Sequence, residues 1–175
     1  LAENTALSAG TSVTFNANVS GAKSLTVSGP LNVNCSQITT TGNSQTYNGV
    51  VNLDLNSKFT ASQINFNSNI TDGAVAGSRK NLTVDAAVLK STIASGSASI
   101  ILGELKVDTN TSIQTNNGTT IAFNVPLISG TGKTITLASN GSTFSFDGNV
   151  EINPDFITST GTTFSASTGE MIFKA

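Results

Sequence analysis

Along most of the chain apolar residues occupy every second position, with Asn, Thr or Ser between them. The stretch Gln63 to Gly73 shows the pattern best: Ile64, Phe66, Ser68 and Ile70 alternate with Asn65, Asn67 and Asn69, and Asp72-Gly73 is a turn signal after it. A period of two with one apolar side and one amide side predicts a half-buried β-strand. The same alternation predicts strands at Ser12–Val19, Ser24–Ser28, Leu31–Cys35, Val51–Leu55, Asn81–Asp85, Glu104–Asp108, Thr120–Leu127, Thr134–Leu137, Thr143–Val150 and Thr162–Ile172. Helix formers compete only over Ala86–Ile101. Ser91-Thr92-Ile93 and Gly96 oppose a long helix there, so strand-turn-strand is expected.

One phrase recurs. An aromatic is followed by Asn or Asp, two further residues and an aliphatic in Phe15–Val19, Tyr47–Val51, Phe66–Ile70, Phe123–Leu127 and Phe146–Val150. A companion phrase, aliphatic-Thr-aliphatic, appears as Leu25-Thr26-Val27, Leu82-Thr83-Val84 and Ile135-Thr136-Leu137. Tyr47 and Phe66 stand 19 residues apart and Phe123 and Phe146 stand 23 apart; the gap from Phe66 to Phe123 is 57, three times 19. The gap of 32 from Phe15 to Tyr47 breaks the period. Short strands, polar turns and a repeat near twenty predict a right-handed parallel β-helix with irregular coils of 19–23 residues, as one domain over residues 1–175.

In that fold equivalent positions of successive coils stack about 4.8 Å apart. Phe15, Tyr47, Phe66, Phe123 and Phe146 are then expected to form an internal ladder, and recurrent asparagines to bond to their counterparts one coil on. The competing fold is an antiparallel β-sandwich, for which Asn48-Gly49, Asn117-Gly118 and Asn140-Gly141 would be hairpin turns. Five copies of one phrase favour stacking, because sandwich strands have no reason to resemble one another.

Composition narrows the function. Only 10% of residues are charged, the net charge is −2 and the only adjacent basic pair is Arg79-Lys80, which argues against a nucleic-acid partner. No run approaches the roughly 18 apolar residues of a membrane span. No basic and apolar leader opens the chain, so Leu1 is expected to be the start of a mature secreted chain or an interior point of a longer one. Histidine is absent and Cys35 is the single cysteine, which leaves no cysteine–histidine metal site and predicts a small buried thiol.

Within residues 38–84, Ile38-Thr39-Thr40-Thr41-Gly42, Gln45-Thr46-Tyr47-Asn48-Gly49-Val50-Val51, Ile64-Asn65-Phe66-Asn67 and Asn81-Leu82-Thr83-Val84 form a pattern. It resembles the repeats of large bacterial surface proteins of the filamentous haemagglutinin type, exported adhesins and autotransporter passengers built as long β-helices. A looser likeness continues over residues 119–150. The family's secretion domain carries Asn-Pro signatures near its start; here Asn153-Pro154 lies near the other end and reads as a turn. The resemblance implies a bacterial, extracellular or cell-surface repeat segment with a structural or adhesive role.

Candidate chemistry is sparse. The ten acids are scattered along the chain, and only Asp54 and Asp72, 18 residues apart, could face each other as the carboxylate pair a carbohydrate-active β-helix needs. Without histidine, serine and threonine lack their usual base. No Gly-Asp nonapeptide marks a calcium solenoid, and an isolated site over residues 147–151 is weaker than its reading as strand and turn. No catalysis, cofactor or metal is therefore expected. Asn-x-Ser/Thr at Asn18, Asn34, Asn69, Asn81, Asn110, Asn117 and Asn140 matches glycan acceptors, though chance produces several in such a composition. Rows such as Thr39–Thr41 are too irregular for ice binding.

The polar passage Asp72–Lys80, with Asp72, Arg79 and Lys80, is expected to be a surface loop inserted into a repeat and the candidate binding loop, with a host or surface glycan as its partner. The ends form the second candidate. Residues 1–10 read as a cap or exchangeable strand, and Leu1, Met171, Ile172 and Phe173 are assembly candidates. Through them the chain would self-associate end to end or by strand addition, as a filament subunit, or continue into a longer adhesin.

Overall fold

A computed structural model describes residues 1–73, 78–116, 119–130 and 133–137, together with the backbone of strands Thr143–Phe146, Val150–Ile152, Phe156–Thr158, Thr163–Ala166 and Met171–Phe173. The alternating segments form strands throughout, with no helix among the described residues. Residues 86–101 resolve into Val88–Ser91 and Ser97–Ile101, as the sequence predicts.

All pairing is parallel, which excludes the sandwich. The strands form three faces that the chain visits in a fixed cycle. Face A holds Val19–Gly21, residues 37–40, residues 57–61, Asn81–Asp85, Glu104–Val107, Leu127–Ser129, Val150–Ile152 and Met171–Phe173. Face B holds Thr5–Leu7, Leu25–Val27, residues 44–47, residues 63–66, Val88–Ser91, Thr111–Thr115, Ile135–Leu137 and Phe156–Thr158. Face C holds Val13–Phe15, Leu31–Val33, Val51–Leu53, Ile70–Thr71, Ser97–Ile101, Thr120–Asn124, Thr143–Phe146 and Thr163–Ala166. Two long strands, Gln37–Tyr47 and Ser57–Phe66, run from face A on into face B. The first bends at Gly42, whose φ of 71° an L side chain rarely adopts. The result is a three-sided parallel β-solenoid with eight stacked strands on each face among the described residues.

Inward positions of the three faces meet in one core. Leu25, Ile38, Leu53, Phe66, Leu89, Ile113, Ile121 and Phe123 are completely buried. Each such side chain contributes roughly 1.5–3 kcal/mol of burial, so the stacked rows supply the driving force. Face B carries Leu25, Gln45, Ile64, Leu89, Ile113 and Leu137 in one register row. Gln45 is the polar member and is fully buried. Its Nε2 donates to the Ile38 and Thr60 carbonyls at 3.0 Å each, and its Oε1 accepts the Tyr47 hydroxyl at 2.8 Å. Tyr47 in turn packs against Phe59, with ring centroids 5.5 Å apart.

The expected five-membered aromatic ladder is not one ladder. Tyr47 pairs with Phe66 on face B, whereas Phe15 lies on face C beside Val33, and Phe123 pairs with Phe146 on face C. The recurring phrase marks a corner: the aromatic ends one face, the amide and its neighbours turn, and the aliphatic opens the next face. That corner is B to C for Tyr47 and Phe66, but C to A for Phe15, Phe123 and Phe146. The broken 32-residue gap follows, because it spans two different corners. For the same reason Gln63–Ile70 is not a single strand: face B ends at Phe66 and face C begins at Ile70.

Asparagine ladders do form. Asn34 donates to Asn16 (3.3 Å), Asn52 to Asn32 (3.1 Å) and Asn67 to Asn48 (2.6 Å), at separations of 18, 20 and 19 residues. Other asparagines cap the next coil's backbone: Asn18 Oδ1 accepts from Ser36 and Gln37 N–H, and Asn69 Oδ1 from Ser99 N–H. Coils are more variable than predicted, from 18 residues to the 30 between Asn69 and Ser99. Residues 1–10 contain Thr5–Leu7, which pairs with Leu25–Val27 as a rung of face B.

Candidate functional site

Outward positions differ sharply among the faces. No strand of face C carries an acidic or basic residue, and face B carries only Lys90. Face A carries Lys58, Asp85, Glu104 and Lys106, with Asp108 directly after Glu104–Val107. The register brings these charges together from separate coils: Lys58 lies beside Thr83, Thr83 beside Lys106, and Thr60 beside Asp85.

Lys58 Nζ reaches Asp85 Oδ2 at 3.0 Å and Asp108 Oδ2 at 3.3 Å, while Lys106 Nζ reaches Asp108 Oδ1 at 3.0 Å. The hydrogen bond to Asp85 is the main reason that the Lys58 ammonium titrates above its ordinary range. The Lys106 bond, followed by that from Lys58, holds the Asp108 carboxyl below the usual carboxylate range. These groups are about one-third exposed, so the network is worth little stability per pair. It fixes charge: Lys58 is already shared between two carboxylates.

Beside this network a groove of about 290 Å³ opens at the corner leading from face C into face A. Ser36, Asn56, Ser57, Lys58, Asn81, Thr83 and Glu104 line it, contributed by successive coils. Part of the lining serves the backbone. Asn56 Oδ1 accepts the Asn81 N–H at 2.9 Å, and the Ser57 hydroxyl donates to the Cys35 carbonyl at 2.8 Å. Among the described residues, no hydrogen bond or ion pair engages the Glu104 carboxylate, the Asn81 side-chain amide, the Thr83 hydroxyl or Asn56 Nδ2. Sequence reading missed this groove, since Asn56, Asn81 and Glu104 become neighbours only through the register.

The predicted binding loop is organised differently from expectation. Asp72 is buried, with its side chain fully covered. Its Oδ1 takes Arg79 Nη1 at 3.3 Å and its Oδ2 accepts the Lys80 backbone N–H at 2.7 Å. Asp72 thus ties the two ends of the inserted passage together and is not presented to a ligand. Nor do Asp54 and Asp72 form a facing carboxylate pair, because Asp54 is exposed while Asp72 is enclosed.

Among the described residues no three His, Cys, Asp or Glu side chains are grouped to hold a metal ion. Residues 147–149, in the calcium candidate, lie outside the described residues. Cys35 is buried, and burial pushes its thiol pKa up. Leu1 packs against the edge of the core, its amino group donating to the Ser20 carbonyl. Met171, Ile172 and Phe173 form the strand that pairs with Val150–Ile152 on face A, and their side chains lie outside the described residues. No helix is long and apolar enough to cross a membrane among the described residues. No protein-family model, curated protein or solved structure matches the chain, so the reading of its function rests on this geometry and on its repeats.

Proposed function

We propose that this chain is an extracellular structural and adhesive β-solenoid of a bacterial surface or secreted fibre, without catalysis. The observation that carries the reading is the unbroken parallel stacking of three faces around one apolar core. Such a stack resists bending and leaves few backbone groups open to proteases, which suits a shaft that displays surfaces at a distance. The resemblance of residues 38–84 to filamentous haemagglutinin-type repeats supplies the bacterial and extracellular part. Antibodies raised against the folded chain should label intact cells of the source organism. Labelling confined to permeabilised cells would sink the proposal.

A second reading is a filament subunit joined end to end, with the first coil as its contact surface. Leu1, Leu7, Val13, Phe15 and Val19 in the first coil are only partly covered, whereas the equivalent inward positions of later coils are buried. Their strands also offer a parallel edge for strand addition. Light scattering across protein concentration separates the readings: rods that lengthen at constant width favour the subunit, and a constant monomer favours a segment of a longer adhesin.

A further inference from the structure

We infer that the groove at the entrance to face A binds neutral saccharides, and that its charge pattern excludes acidic ones. The inference rests on the adhesive part of the proposed function and gives that part a place and a ligand class. Four observations converge on it.

The groove is concave and small, about 290 Å³, which suits one or two sugar rings and not a protein surface. Its unengaged groups are of the kinds that hydroxyl-rich ligands need. Glu104 offers two acceptor oxygens, Asn56 Nδ2 offers donors, and the Asn81 amide and the Thr83 hydroxyl offer both. Asn81 and Glu104 are register partners, one rung apart at about 4.8 Å, so a ring across the groove meets both. A sugar hydroxyl donates and accepts at once, and so can bridge from Glu104 to an amide N–H.

The electrostatics choose among sugars. Lys58, the cation lining the groove, is held by Asp85 and Asp108, whereas Glu104 has no cation paired with it among the described residues. A carboxylate, sulfate or phosphate on the ligand would meet the Glu104 charge, and the lining ammonium of Lys58 is already shared between Asp85 and Asp108. Uronic and sialic acids are therefore disfavoured. The groove contains no aromatic platform, so each site binds weakly, and useful adhesion comes from many copies along a fibre.

Saturation-transfer NMR on the full chain tests this. The probes are maltotriose, cellotriose, triacetylchitotriose and lactose, set against sialyllactose and digalacturonate. At least one neutral probe should receive saturation, and the acidic probes should not. Thr83→Arg, which fills the groove, and Glu104→Gln, which removes the acceptor charge, should each weaken that signal by about tenfold. Lys90→Ala on face B should leave it unchanged, and circular dichroism should confirm that all three variants keep their strand content. Groove-dependent binding of the acidic probes as strong as that of the neutral ones, neutral binding that survives both groove variants, or no neutral binding would each overturn the inference. Surface labelling of intact cells is independent of these results, so the broader reading can stand or fall separately.

Discussion

Between Asn16 and Asn67 one turn of the solenoid takes 18 to 20 residues, and between Asn69 and Ser99 it takes 30. The early coils are closed by direct stacking. Asparagine bonds to asparagine, and at the corner from face B to face C a Cβ on Gly49 would lie 2.5 Å from the Gly29 carbonyl. The later coil has a fastener instead: Asp72 holds Arg79 and the Lys80 N–H. Yet the faces on either side of this insertion keep their parallel register, Ile70 beside Ile100 and Phe59 beside Val84. Length is absorbed at corners, and the faces do not yield.

The largest test of that contrast is a single-residue insertion. Placed between Leu89 and Lys90, it would turn every following side chain of that face B strand inside out, and we expect loss of the cooperative unfolding transition. The same residue added between Ser95 and Gly96, in the corner leading to face C, should cost less than about 1 kcal/mol in urea denaturation. Equal effects at both sites would dismiss the distinction.

Gln45 offers the next test, because it joins the short coils from inside. Gln45→Leu removes the partner of the Tyr47 hydroxyl and of two carbonyls, and should destabilise by about 2–3 kcal/mol despite restoring an aliphatic row. Tyr47→Phe should then cost less in the Gln45→Leu background than alone. Additive costs in this double-mutant cycle would show that the two side chains do not act together.

Asp72→Ala should cost about 1–3 kcal/mol by freeing two donors, and limited proteolysis should cut between residues 72 and 80 before any other site. An unchanged cleavage pattern would remove Asp72 from its role as fastener. The smallest effect belongs to the ion pairs of face A. Asp108 titrates lower in the folded chain than in the unfolded one, so its contribution is present above the unfolded value near 4 and is lost as pH falls through the lower folded value. Asp108→Asn should flatten the fall in Tm on acidification below about pH 4, with a cost under about 1 kcal/mol at neutral pH.

The alternation of apolar and polar residues settled by itself that this chain is all-β, and the recurring aromatic-amide phrase settled that the strands stack in coils. Each is a local property, a period of two on a face and a turn at a corner. The asparagine ladders were legible for the same reason, since one amide per corner repeats near the coil length. The sequence could not say which corner was which. All three faces obey one in-and-out rule, so Phe15 and Tyr47 look alike while lying on different faces. Nor could it show that Asp72 is enclosed, because a carboxylate in a polar, glycine-bounded passage has the composition of an exposed loop. The groove was hidden altogether: Asn56, Asn81 and Glu104 are unremarkable one by one. Only the register of parallel coils, set by packing of the core, brings them to one corner and leaves the Glu104 carboxylate, the Asn81 side-chain amide and Asn56 Nδ2 unengaged among the described residues.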